Sequence, residues 1–135
     1  MNRLLFATAA LLSTVAVSSA LANDYYGITV RTSTAKKGQR AVATVSVTPK
    51  GAYHINTEYP VRLVITAPAG ITVEKAQQTK DDAKAFNEHE LDFDVAFVSD
   101  ASGTRSFSGD LRFGVNTDTN SRPSDEKVVF NVEVK

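Results

Sequence analysis

The chain of 135 residues has no cysteine and no tryptophan, and only two histidines. Without cysteine there is no thiolate nucleophile, no disulfide exchange and no thiolate metal site. Without tryptophan as well, the Cys–Trp–Cys core of antibody-type domains is excluded. His54 and His89 stand 35 positions apart, so no H-E-x-x-H metal motif exists. There is no G-x-S-x-G elbow and no phosphate loop. Charge is balanced, with 15 basic and 15 acidic side chains, which leaves no electrostatic footprint for nucleic acid or anionic lipid. No apolar run reaches the ~20 residues that a membrane span requires.

The first 22 residues read as a secretory signal peptide. Arg3 supplies the positive start, Leu4 to Val17 the apolar stretch, and Ala20-Leu21-Ala22 a small-x-small cleavage site. No cysteine follows to accept a lipid. The mature chain then begins near Asn23, and 135 minus 22 leaves 113 residues. A chain of that length buries over ~60% of its unfolded surface without needing disulfides. The expected location is periplasmic or secreted, with no span left once the leader is removed.

The rest of the chain alternates with period two. Ile28 and Val30; Val45 and Val47; Val61, Leu63 and Ile65; Leu91, Phe93, Val95 and Phe97; Leu111, Phe113 and Val115; and Val128, Phe130, Val132 and Val134 each line one face of a strand. Ile71–Val73 adds a short one. Lys36–Gln39, Ala67–Gly70 and Ser99–Gly103 are turns, and Gly109 reads as a bulge. Lys75 to Glu88 is a polar excursion with room for one helical turn near Asp81–Ala85, tethered by Phe86. Residues 23–135 therefore predict one all-β domain, an immunoglobulin-like antiparallel β-sandwich of about seven or eight strands.

Residue types that bear chemistry are sparse. His54, joined by His89 and by Glu58, Glu88 or Glu90, is the material for a zinc or copper shell; satisfied or exposed loop histidines are the plainer account. Asp92 and Asp94 share a strand face, which solvation explains, and Asp118 and Asp125 suit a turn. Tyr25, Tyr26, Tyr53, Tyr59 and Phe86 lie outside the cleanest strands. They make either a binding surface or plugs at the ends of the sandwich. The residues available to a binding surface are Tyr53, His54, Asn56, Glu58, Tyr59 and Asp118.

Gly51-Ala52-Tyr53-His54-Ile55-Asn56-Thr57-Glu58-Tyr59-Pro60, followed later by a strand ending Phe113-Gly114-Val115 and a hairpin running to Pro123, resembles the N-terminal periplasmic domain of the thiol:disulfide interchange protein DsbD and the related disulfide-bond corrector domains. The resemblance spans roughly Gly38 to Val134. It implies an immunoglobulin-like scaffold that carries two redox cysteines on the hairpin, beneath a cap loop. It also implies a periplasmic or membrane redox protein as partner. Here the cysteine positions are Asn116 and Ser121, neither of which forms a thiolate, so disulfide exchange is chemically impossible. Serine is a common engineered replacement and asparagine is not, which favours natural divergence over deliberate substitution. The sequence thus predicts a monomeric, cofactor-free, non-enzymatic exported domain that binds a protein. Periplasmic metal binding through His54 and nearby carboxylates is the alternative.

Overall fold

Side chains on a strand point alternately to its two faces, and the alternating runs become strands with one buried face. The computed structural model describes residues 16–135. It contains eleven strands: β1 (Ala16–Ala22), β2 (Tyr26–Thr32), β3 (Arg40–Pro49), β4 (His54–Ile55), β5 (Arg62–Thr66), β6 (Ile71–Val73), β7 (Gln77–Thr79), β8 (Ala85–Asn87), β9 (Glu90–Ser99), β10 (Gly103–Asn116) and β11 (Ser121–Val134). One sheet runs β1-β2-β3-β9-β6, with β8 also on β9; the other runs β11-β10-β5-β7, with β4 also on β10. Every pair of named strands is antiparallel. This is the immunoglobulin-like β-sandwich that the alternation implies.

The core lies between the sheets. Leu91, Phe93, Val95 and Phe97 of β9 are buried, as are Val128, Phe130, Val132 and Val134 of β11. Aromatic contacts cross the gap between sheets. Phe97 of β9 meets Phe107 of β10 at 4.9 Å between ring centres, and Tyr26 of β2 meets Phe113 of β10 edge-on at 4.8 Å. Phe130 stacks on Phe107 from the neighbouring strand. Such offset and edge-to-face pairs add about 0.5–1.5 kcal/mol each beyond the area they bury.

The structure departs from the sequence reading in three places. Eleven strands replace seven or eight because β4, β7 and β8 are two- or three-residue ladders, while β1 lies inside the stretch assigned to the leader. Arg3 and the apolar run through residue 15 fall outside the described residues. Gly109 is not a bulge: it pairs in register with Val128 on one side and Ile65 on the other. A Cβ there would sit 3.0 Å from Ile65 Cδ1 and 3.3 Å from Leu63 Cδ1, so close packing is the reason for glycine. The polar excursion holds one 3-10 turn, Lys80–Asp82, between β7 and β8. Phe86 packs against the core as expected. Gln78 is buried and donates through Nε2 to the Asp94 carbonyl at 2.9 Å, which ties β7 to the opposite sheet.

Candidate functional site

The end of the β10–β11 hairpin is where the two stretches that carry the resemblance meet. In the ladder Asn116 pairs with Ser121, Val115 with Arg122 and Gly114 with Pro123. The connecting residues are Thr117–Asn120. The Thr117 amide donates to the Asn120 carbonyl at 2.8 Å, and Thr117 Oγ1 accepts the amides of Asn120 and Thr119. The turn is therefore closed by its own backbone, with Asp118 exposed at the tip. Directly opposed antiparallel residues have Cα atoms ~4.5–5.5 Å apart, inside the ~4.4–6.8 Å range of disulfides. The opposed pair here is Asn and Ser.

On the other side of Asn116 lies β4. His54 pairs with Asn116 and Ile55 with Val115, and the Asn56 amide donates to the Gly114 carbonyl at 2.8 Å. Asn116 thus sits between two strands, half-buried, and its Oδ1 is enclosed without a hydrogen-bond partner among the described residues. An unmet acceptor of this kind costs about 1–3 kcal/mol.

The stretch Gly51–Pro60 folds over this end. Asn56 Oδ1 accepts the Glu58 amide at 3.0 Å, a local turn of the kind Asn favours, so its side chain is committed to the backbone. Tyr59, held extended by the following proline, lays its ring on Gly114. A Cβ on Gly114 would stand 3.0 Å from Tyr59 Cγ and 3.2 Å from Tyr59 Cβ. Tyr53 is half-buried and meets the edge of Tyr25 at 5.2 Å, while the Arg122 guanidinium lies 3.8 Å over the Tyr25 ring. Cation–π contacts of this geometry contribute about 0.5–1 kcal/mol at exposed sites. Tyr26, beneath them, donates its hydroxyl to Glu126 of β11. Burial first, then the Glu126 carboxylate, raises the Tyr26 phenol above its ordinary pKa.

Among the predicted residues, Tyr53, His54, Asn56, Tyr59 and Asp118 gather at this end, with Glu58 exposed beside Tyr59. Tyr25, Tyr53 and Tyr59 are half-buried: each packs against this end of the sandwich and keeps part of its surface exposed. Arg122 escaped sequence reasoning, since nothing in its neighbourhood marks it as stacked on a tyrosine 97 positions away. His89 lies on the neighbouring turn, where the Ile55 amide donates to the Glu88 carbonyl. Among the described residues no three His, Asp or Glu side chains are grouped to hold a metal ion. Asp94 accepts from Thr44 Oγ1 at 2.8 Å. The carboxylates that interact are instead Glu90 and Asp92: hydrogen bonding to Asp92 and its negative charge raise the Glu90 pKa.

No helix among the described residues is long and apolar enough to cross a membrane. No protein-family model and no curated protein matches the chain. Among solved structures, the major subunit of aggregative adherence fimbriae type I from Escherichia coli superimposes with a TM-score of 0.40 and 11% identity, covering 85% of this chain and 98% of that one. At that score the likeness carries no argument about this chain.

Proposed function

We propose that this chain is an exported, non-catalytic β-sandwich that keeps the scaffold of the disulfide-interchange domains without their thiols. It binds a periplasmic redox protein through the hairpin end. The observation that supports this most is the seat of Tyr59 on Gly114. It joins the two separate stretches on which the resemblance rests into one surface, with Asn116 and Ser121 opposed beside it. Nothing at that surface can take up or release an electron pair, because Asn and Ser have no accessible redox chemistry. What remains is shape. Half-buried tyrosines with open faces, rimmed by Glu58, Asp118 and Arg122, have the composition of a recognition patch.

The test places a photo-activated phenylalanine analogue at Tyr53 in one variant and at Val129, exposed farther along β11, in another. Mixed with a purified periplasmic thioredoxin-fold protein, the Tyr53 variant should cross-link and the Val129 variant, seven positions along β11 from Arg122, should not. Equal cross-linking from both positions, or none from either, removes the reading.

A further inference from the structure

The outer face of the sheet formed by β5, β10 and β11 carries an unbalanced pair of like charges. Arg62 of β5 and Arg112 of β10 are direct partners in the ladder. Both are exposed, whereas their chain neighbours Val61, Leu63, Leu111 and Phe113 are buried, so the two arginines leave the sheet on the same side. Opposed residues in an antiparallel pair have Cβ atoms ~4.5–5.5 Å apart, and like charges set there are destabilising.

The other charges on this face are answered. Arg112 Nε donates to Asp125 Oδ1 at 2.9 Å, and Lys127 Nζ lies 3.6 Å from Asp110 Oδ1. Among the described residues, Arg62 has no carboxylate within ion-pair distance. These five side chains line one hollow of about 500 Å³. Glu126 also borders it, but its carboxylate is engaged by the Tyr26 hydroxyl. Arg62, Arg112 and Lys127 against Asp110 and Asp125 leave a surplus of one positive charge. The ladder by itself would be better served by a neutral residue at position 62.

A bound carboxylate removes the conflict. The planar guanidinium fork matches carboxylate geometry, and two of them side by side hold one such group between them. A dianion such as phosphate fits less well, because Asp110 and Asp125 line the same hollow and repel the second charge. The hollow also borders the surface built on Tyr59. Gly114, beneath the Tyr59 ring, is two residues beyond Arg112 on the same strand face. Asp125 chiefly, and the Tyr59 phenol after it, hold the Arg112 guanidinium above its ordinary pKa, which sets Tyr59 close to Arg112 as well. We propose that Arg62 and Arg112 together bind one carboxylate, and that it is an aspartate or glutamate side chain of the protein that docks on the Tyr59 surface. The second half rests on the proposed recognition role; the first half does not.

The experiment takes the halves separately. N-acetylglutamate α-amide, which carries a single carboxylate, is titrated at low ionic strength, where exposed charges are least screened. The arginine Nε–H resonances are followed by NMR. Saturable shifts are expected at Arg62 and Arg112, exceeding those at Arg31 and Arg40, with none from the glutamine analogue and weaker binding of inorganic phosphate. Arg62→Gln should weaken the probe about three- to fivefold, the contribution of one exposed ion pair. Without probe it should raise Tm by about 1–4 °C as the like-charge opposition is relieved. A uniform response of all arginines, tighter binding of phosphate, or an unchanged affinity in Arg62→Gln overturns the site. A fall in Tm overturns it too, since Arg62 would then serve the fold. For the second half, Arg62→Glu is combined with the photo-activated analogue at Tyr53, and cross-linking should fall severalfold. Undiminished cross-linking overturns the acidic docking group and leaves the recognition role standing. Probe binding with no cross-linking from Tyr53 in the parent removes the recognition role and leaves the carboxylate site.

Discussion

The opposition of Asn116 and Ser121 makes a quantitative prediction. Replacing both by cysteine, Asn116→Cys with Ser121→Cys, should give a pair that oxidises in a mild glutathione buffer. The two are ladder partners, so no backbone movement is required. The closed loop runs from 116 to 121. For a loop this short the chain-entropy model gives about 2 kcal/mol of stabilisation. In a domain of this size each kcal/mol moves Tm by roughly 4 °C, so oxidation should raise Tm by about 8 °C. The Asn116→Cys change alone, in reducing buffer, also removes the unpartnered Oδ1 and should add about 1 kcal/mol. Comparing the reduced single variant, the reduced double and the oxidised double separates the two effects. The assay is thermal unfolding with and without reductant, alongside titration of free thiols. A folded double variant whose thiols stay free under oxidising conditions would refute the 116–121 register. Oxidation that lowers Tm would show the hairpin geometry to be wrong for a disulfide.

Gly114→Ala should cost about 1–3 kcal/mol in a denaturant titration, because the new methyl meets Tyr59 near its backbone-anchored Cβ; Gly109→Ala should cost less, since it meets only the terminal methyls of Ile65 and Leu63 closely. Equal costs at the two positions would contradict the packing described. The raised Tyr26 phenol pKa sets an alkaline limit: its contribution is complete below the unfolded value of about 10 and is lost as pH rises from there through the folded value. Tyr26→Phe should lose about 1 kcal/mol at pH 7 and show a shallower decline above pH 10 than the parent, and an identical alkaline slope in the two would refute the coupling.

The sequence made legible whatever alternates strongly. β9 reads from Leu91 to Phe97 because its inward positions are large and apolar and its outward ones are acidic or small. β7 and β8 were illegible for the opposite reason. Gln77–Thr79 and Ala85–Asn87 have little strand character of their own and become strands by pairing with β5 and β9. The first half of β11 is hidden in the same way. Residues 121–127 are polar on both faces, yet they pair residue for residue with β10. Gly109 was misread because an isolated glycine in a strand signals either a bulge or a close approach, and only the neighbouring Ile65 and Leu63 decide between them.

The hairpin end adds a different lesson. Tyr59 and Gly114 are 55 positions apart, and neither sequence motif alone says that one exists to accommodate the other. Once they touch, their joint presence has a packing reason that is independent of any thiol: remove the glycine and the tyrosine has no seat, remove the tyrosine and the end of β10 is uncovered. Asn116 and Ser121 have no such reason. One encloses an oxygen with no partner among the described residues, and the other is exposed. On the proposed reading, Tyr59 and Gly114 keep a packing role, and Asn116 and Ser121 stand where redox chemistry would need cysteines. That division is what a scaffold kept for its surface predicts, and the Tyr53 cross-linking experiment asks whether the surface is used.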